Sequence, residues 1–198
     1  MELFDLSQPL RPGMPVLPGD PPVRFTAVRS HDVDGYAVTR FSLGSHAGTH
    51  LDAPRHFFPD GATLDQYPLD RLVGPGLVVD CRPAPGTDEI DKPLLVERLK
   101  PCAVPPAGFV LLWSGGALLS IEAAQMLLSA GAGLVGIDGP SLDAEPHPVH
   151  RLLLSHGVLL AENLAGLERL GPGPVTCAFL PLAVVGTDGA PVRAVAWR

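Results

Sequence analysis

The chain has 198 residues, 46% apolar and 18% charged, with a net charge of −7. This suits a folded domain spanning 1–198 and excludes a disordered chain, which lacks enough apolar surface to offset its entropy. Its lysines are only Lys92 and Lys100 and its arginines are scattered, so there is no basic stripe for nucleic acid.

The N-terminal run Met1–Asp5 is acidic, where a secretory leader needs positive charge, and a cytoplasmic protein is expected. The uncharged stretch Gly108–Ile121 is shorter than the roughly 20 residues of a membrane span, so it predicts buried core and no membrane partner. Cys81, Cys102 and Cys177 form no CxxC pair and are expected as free thiols. The 22 glycines and 23 prolines predict many turns and short helices.

In chain order, Gln8–Pro22 is proline-rich and reads as an ordered turn. Ala37–Asp52 reads as one strand ended by Pro54, with partial alternation at Val38, Thr39, Phe41 and Leu43. Short apolar runs at Gly76–Cys81, Gly108–Trp113, Gly133–Asp138, Val158–Ala161 and Val175–Leu180 read as buried strands. A closing hairpin of Val184–Gly186 and Val192–Trp197 is expected around Thr187–Gly189. Helices are predicted at Asp91–Leu99, at Ser120–Ala130 with a serine cap and Gly131 at the stop, at Pro148–Ser155 and at Asn163–Leu170. The pattern is mixed α/β, strand-rich with short helices.

Six of the seven histidines fall in two clusters: His46, His50 and His56 with Asp52, and His147, His150 and His156 with Glu162 following. If the first cluster continues a strand, His46, His50 and Asp52 share one face, and Gly48 leaves room for an ion. Two imidazoles and a carboxylate suit Zn2+ or Mn2+ better than Ca2+. An HxxxH pair alone fits ordinary surface histidines as well; Asp52, Gly48 and His56 in phase favour the metal. His56, past Pro54, leaves the strand and is placed to transfer protons. Asp138 reads either as a strand-end turn acid or as the edge of a site, and His31 as an exposed loop residue.

The run His46-Ala47-Gly48-Thr49-His50-Leu51-Asp52-Ala53-Pro54-Arg55-His56 carries the signature HxGTHxDxPxH. With Asp5–Ser7, Pro18–Asp20, Gly136–Ser141, His147–His150, Glu162–Leu164 and Gly186–Ala194, it resembles the metal-dependent cyclase-like amidohydrolases. These include bacterial kynurenine formamidase and isatin hydrolase. The resemblance implies a swivelling β/β/α fold and a homodimer or homotetramer. It implies one metal on His46, His50 and Asp52, a second on Asp52, His150 and Glu162, and His56 as acid/base. It leaves His147 and His156 as local structure, with support of the shell as the alternative for His147. It also implies one or two Zn2+ per chain, with Mn2+ as the alternative, and a small amide or lactone substrate, as in tryptophan catabolism. Leu17, Gly19 and Asp20 are candidate substrate contacts; kynurenine formamidases carry Trp where Leu17 stands, and the segment from Trp113 to Ser120 is shorter than theirs. Hydrolysis of a cyclic amide or lactone, and a non-catalytic metal-binding role, are the alternatives.

Overall fold

The computed structural model describes residues 1–198. In chain order the elements are β1 (Leu3–Asp5), β2 (Arg24–Arg29), α1 (His31–Asp34), β3 (Val38–Ser42), β4 (His50–Asp52), β5 (Val73–Asp80) and β6 (Glu89–Ile90). They continue with α2 (Lys92–Leu99), β7 (Phe109–Trp113), β8 (Leu118–Leu119), α3 (Ile121–Ser129), β9 (Leu134–Ile137) and α4 (Pro148–Ser155). The chain closes with β10 (Leu159–Glu162), α5 (Leu167–Leu170), β11 (Gly173–Pro181) and β12 (Gly189–Trp197).

The apolar runs β5, β7, β9 and β10 lie side by side as parallel strands, since each carries bulky side chains on both faces and both faces are covered. On β7, Phe109 and Leu111 point to one core with Val78, Leu134, Leu159, Cys177, Phe179 and Ala194. Val110 and Leu112 point to the other, against Leu95 of α2, Ala123 and Leu127 of α3 and Leu153 of α4. The sheet runs β1-β12-β11-β5-β7-β9-β10-β4, and β12 also pairs with β4. Seven strands therefore close into a barrel, with β1 added along β12. One core fills the barrel and the other lies between its wall and the helices. No helix is long and apolar enough to cross a membrane.

Local chemistry sets the helix ends. The Ser120 hydroxyl accepts from Ala123 N–H at 3.2 Å, and the Asp91 carboxylate accepts from Leu94 N–H at 2.8 Å. All three cysteines are free.

Three expected elements change. The single strand Ala37–Asp52 breaks after Ser42: β3 pairs with β2 in a separate hairpin while β4 joins the barrel. Gly48, whose φ of +64° belongs to the left-handed region, lies within the break and keeps β4 from extending back towards β3. Val184–Gly186 is connection, because β12 takes β11 as its antiparallel partner instead. The helix expected from Asn163 begins only at Leu167. Asn163 has a φ of 57°, and its N–H bonds Gly139 carbonyl at 2.8 Å.

Leu111 is fully buried and Leu69 is 71% exposed. Leu111→Ala should lower unfolding free energy by about 2–5 kcal/mol, whereas Leu69→Ala should change it by less than about 0.5 kcal/mol. Urea denaturation of both variants checks this.

Candidate metal centre

The period of two on β4 sends Leu51 into the barrel and both His50 and Asp52 to the opposite face. Antiparallel pairing sets Glu162 of β10 opposite His50 and Leu160 opposite Asp52. His150 reaches the same point from α4, and His46 from the turn before β4. His50, Asp52, His150 and Glu162 are all at most 3% exposed. The Thr49 hydroxyl, also buried, donates to Asn163 carbonyl at 2.6 Å and accepts from Gln8 N–H at 2.8 Å, tying β4 down at its start.

Asp52 is the hub. Its Oδ1 lies 2.7 Å from His46 Nδ1 and 3.2 Å from His50 Nε2, and its Oδ2 lies 3.8 Å from His150 Nε2. Glu162 Oε2 is 3.5 Å from His50 Nε2, and Glu162 Oε1 is 3.0 Å from His150 Nε2. Leu142 N–H also donates to Glu162 Oε1, at 3.1 Å, and fixes it.

Hydrogen bonds decide which imidazole nitrogen is offered. His50 Nδ1–H donates to Gly48 carbonyl at 2.8 Å, and a carbonyl can only accept, so Nε2 faces the carboxylates. That Nε2 is buried and has no hydrogen-bond partner. An orphaned imidazole nitrogen beside two buried carboxylates is a donor set that a divalent metal fits. Ligand atoms of His50, Asp52 and Glu162 lie within 4.8 Å of one another, as do those of His46, Asp52 and His56.

Gly48 acts differently from expectation. A Cβ there would meet Leu10 Cδ2 at 2.8 Å, on the side of the N-terminal loop, so the glycine does not open space for an ion. What it supplies is a left-handed turn and the carbonyl that orients His50.

Charge balance explains the titration of the cluster. Burial drives the His50 pKa down, but Asp52 and Glu162 outweigh it and hold it at about 10. Burial likewise opposes a charged His150, yet Asp143 and Glu162 raise it to about 10. Burial would raise the Asp52 pKa; the imidazoles pull it well below the usual carboxylate range.

His56 sits on the 3-10 turn Pro54–His56, half-buried, with its ring centroid 4.0 Å from that of His46. Burial holds its pKa below the usual histidine value. Its Nδ1 lies 3.4 Å from Asp188 Oδ2, which also accepts from His46 Nε2 at 2.9 Å. Asp188, Asp143 and Thr49 are members of the site that sequence reasoning did not single out. The only signal was their presence inside or beside recognised segments.

Leu17 is 46% exposed, and no hydrogen bond or ion pair joins Leu17, Gly19 or Asp20 to the cluster. Asp138 serves as a turn acid, accepting from Ser114 N–H at 2.8 Å and from Gly115 N–H at 3.2 Å. His31 and His156 are exposed. Burial pushes the Cys81 and Cys177 thiols up to about 12, too high for nucleophiles near neutral pH.

A cavity of about 770 Å³ has an apolar wall of Phe41, Leu43, Leu182 and Val184, and includes Ser45 and Gly189. Gly189 borders the cluster as well. A Cβ there would sit 2.9 Å from His46 Cε1 and 2.6 Å from Leu51 carbonyl.

A closed, strand-rich α/β barrel with a buried His/carboxylate cluster defines the class. The Cyclase family profile matches residues 4–144. A kynurenine formamidase from Salinibacter ruber is 35% identical over 210 residues, covering 98% of this chain and 97% of that protein. The chain belongs to the Cyclase family. Among solved structures, a predicted metal-dependent hydrolase from Bacillus stearothermophilus is 28% identical with a TM-score of 0.81, over 98% of this chain and 97% of its own. Isatin hydrolase A from Labrenzia aggregata shares the fold, with a TM-score of 0.89 at 24% identity over 98% of this chain and 93% of its own.

In metal-free protein, His50 and His150 hold protons more tightly folded than unfolded, where histidine titrates near about 6.5. Their contribution to stability is full below about pH 6.5 and is lost as pH rises through about 10. Urea midpoints of chelator-treated protein should therefore fall across that window. Saturating Zn2+, replacing the protons, should flatten the profile.

Proposed function

We propose that this chain is a metal-dependent hydrolase that cleaves an amide C–N bond, with N-formyl-L-kynurenine giving L-kynurenine and formate. The observation that carries the reading is the buried His50–Asp52–Glu162–His150 cluster, with an orphaned imidazole nitrogen, directly beside a half-exposed histidine of lowered pKa. The relation to a kynurenine formamidase along nearly the whole chain supports the substrate.

His46, His50 and Asp52 would hold one metal, and Asp52, His150 and Glu162 a second. The donor set accepts Zn2+ and equally Mn2+. A divalent metal supplies Lewis-acid polarisation and acidifies a coordinated water toward a pKa of about 7. The chain's own residues supply the rest. Asp188, accepting from His56 Nδ1–H, leaves Nε2 free to take a proton from the attacking water. The same Nε2 returns that proton to the leaving nitrogen as the C–N bond breaks, so the amide and one water give an acid and an amine. No serine or cysteine is alkylated or acylated on the way. The apolar cavity wall at Phe41, Leu43, Leu182 and Val184 would receive the part of the substrate that does not react.

Leu17 favours a second reading, hydrolysis of a cyclic amide or lactone, because it offers no aromatic surface to stack on the kynurenine ring. Assays on N-formylkynurenine and isatin separate the two, and turnover of neither with metal bound would overturn both substrate readings. His56→Ala should keep its metal and lose about 10²–10⁴-fold in kcat; His50→Ala should lose metal by elemental analysis. A His56→Ala enzyme with undiminished kcat would overturn the assignment.

The assembly we infer is a homodimer built on the β2–β3 hairpin. Every residue of both strands is exposed, including Phe25 and Phe41, whose rings pack 5.3 Å apart. A two-stranded hairpin with no covered face is marginal alone and gains stability from a partner. Sedimentation equilibrium should give twice the 20.8 kDa chain mass, and Phe25→Asp should shift the protein towards monomer.

A further inference from the structure

Asp143 is 6% exposed and lies on no strand or helix, in the segment between β9 and α4. A carboxylate so buried must be compensated on all sides. Its Oδ2 accepts from Val149 N–H at 2.5 Å, closing the first turn of α4 where Pro148 has no N–H to offer. Its Oδ1 accepts from His150 Nδ1–H at 2.5 Å and from His147 Nδ1–H at 3.1 Å. His147 is held in place at a cost: its φ of 59° puts a non-glycine residue in the left-handed region. Its ring packs edge-on to that of His150, with centroids 5.3 Å apart.

Oδ1 of Asp143 therefore receives the Nδ1 proton of His150 and leaves the opposite nitrogen to the cluster. His150 Nε2 points at Glu162 Oε1, 3.0 Å away, and towards Asp52. His50 obtains the same tautomer from a neutral carbonyl. His150 obtains it from a carboxylate, which also makes the imidazole a stronger donor to a metal.

We propose that Asp143 is a positioning residue for the metal centre, fixing the tautomer and direction of His150, with His147 as its outer support. This rests on the metal-binding reading above. It assigns Asp143 a role distinct from capping α4, although one carboxylate performs both.

Asp143→Asn tests it. The asparagine carbonyl can still accept from Val149, but its amide would face His150 Nδ1 with a donor, forcing the proton to Nε2 and removing the lone pair. Zn2+ affinity, measured by competition with a chromophoric chelator, should fall about 10- to 100-fold, while far-UV circular dichroism stays unchanged. In a His150→Ala background the same substitution should alter affinity by less than about twofold, since the residue it acts through is gone. Asp143→Ser is the second variant: its hydroxyl can cap the helix but is too short to reach His150, and it should show the same loss. Unchanged Zn2+ affinity in both variants, or equal losses in both backgrounds, would overturn the proposal and leave Asp143 as a helix cap. A wild-type protein that takes up no Zn2+ would overturn the metal reading itself, and this inference with it.

Discussion

Asp52 carries a charge at 1% exposure, with three imidazoles around it, and the architecture follows from keeping it there. A buried carboxylate is tolerated only when its oxygens are fully matched. Matching them requires β4 to be held from both sides. This three-residue strand pairs with β10 along one edge and β12 along the other. It is the stave that closes the barrel, so closure of the fold and assembly of the cluster are a single event. Leu51, between His50 and Asp52, seals the barrel interior while its neighbours build the site outside it. Unclosed, β4 would be a free edge and Asp52 would be solvated.

The same geometry fixes the charge state. His46, His50 and His150 face Asp52, Glu162, Asp143 and Asp188 at separations between 2.5 and 3.8 Å. Asp52 and Glu162, whose ligand atoms lie within 4.8 Å of one another, repel unless cations lie between them. Without metal, protons on the imidazoles are those cations. A divalent metal would take the place of the protons on the nitrogens of His50 and His150 that face the cluster, whose opposite nitrogens are already engaged by Gly48 carbonyl and Asp143.

The sequence made the central motif legible because its members stand close together: His46, His50, Asp52 and His56 fit one spacing, and strand alternation places two of them correctly. The parallel strands were legible for a related reason, since a continuous apolar run has few other uses. Asp143 and Asp188 were opaque. A carboxylate in a turn before a helix or strand looks like a cap, and Asp188 meets His46 and His56 only because β12 pairs with β4. Gly48 misled because a missing side chain reads as space, whereas the backbone angle it permits leaves no trace in composition. Of the β2–β3 hairpin, β3 was legible through the partial alternation at Val38, Thr39 and Phe41, whereas β2, exposed along its whole length, carries no buried face to mark it.

The division between strand and turn follows the chemistry. The fully buried donors His50, Asp52, Glu162 and His150 lie on β4, β10 and α4, elements fixed by ladders and core packing, where a misplacement of about 1 Å would be costly to metal geometry, and His46 alone among the donors comes from a turn. His56 and Asp188 lie on turns, with side chains 32% and 37% exposed. A group that passes a proton between a water and a leaving nitrogen must be reached by both, and full burial would close that route. Pro54, fixing the entry to the 3-10 turn, and Gly189, admitting close approach to His46, let these exposed residues stay within reach of the buried ones. The half-buried setting that lowers the His56 pKa keeps its ring neutral near pH 7, while the imidazoles behind it, matched by carboxylates, are driven the other way. Two histidines six residues apart, His50 and His56, thus acquire opposite acid–base character from burial and from the charges that burial places beside them.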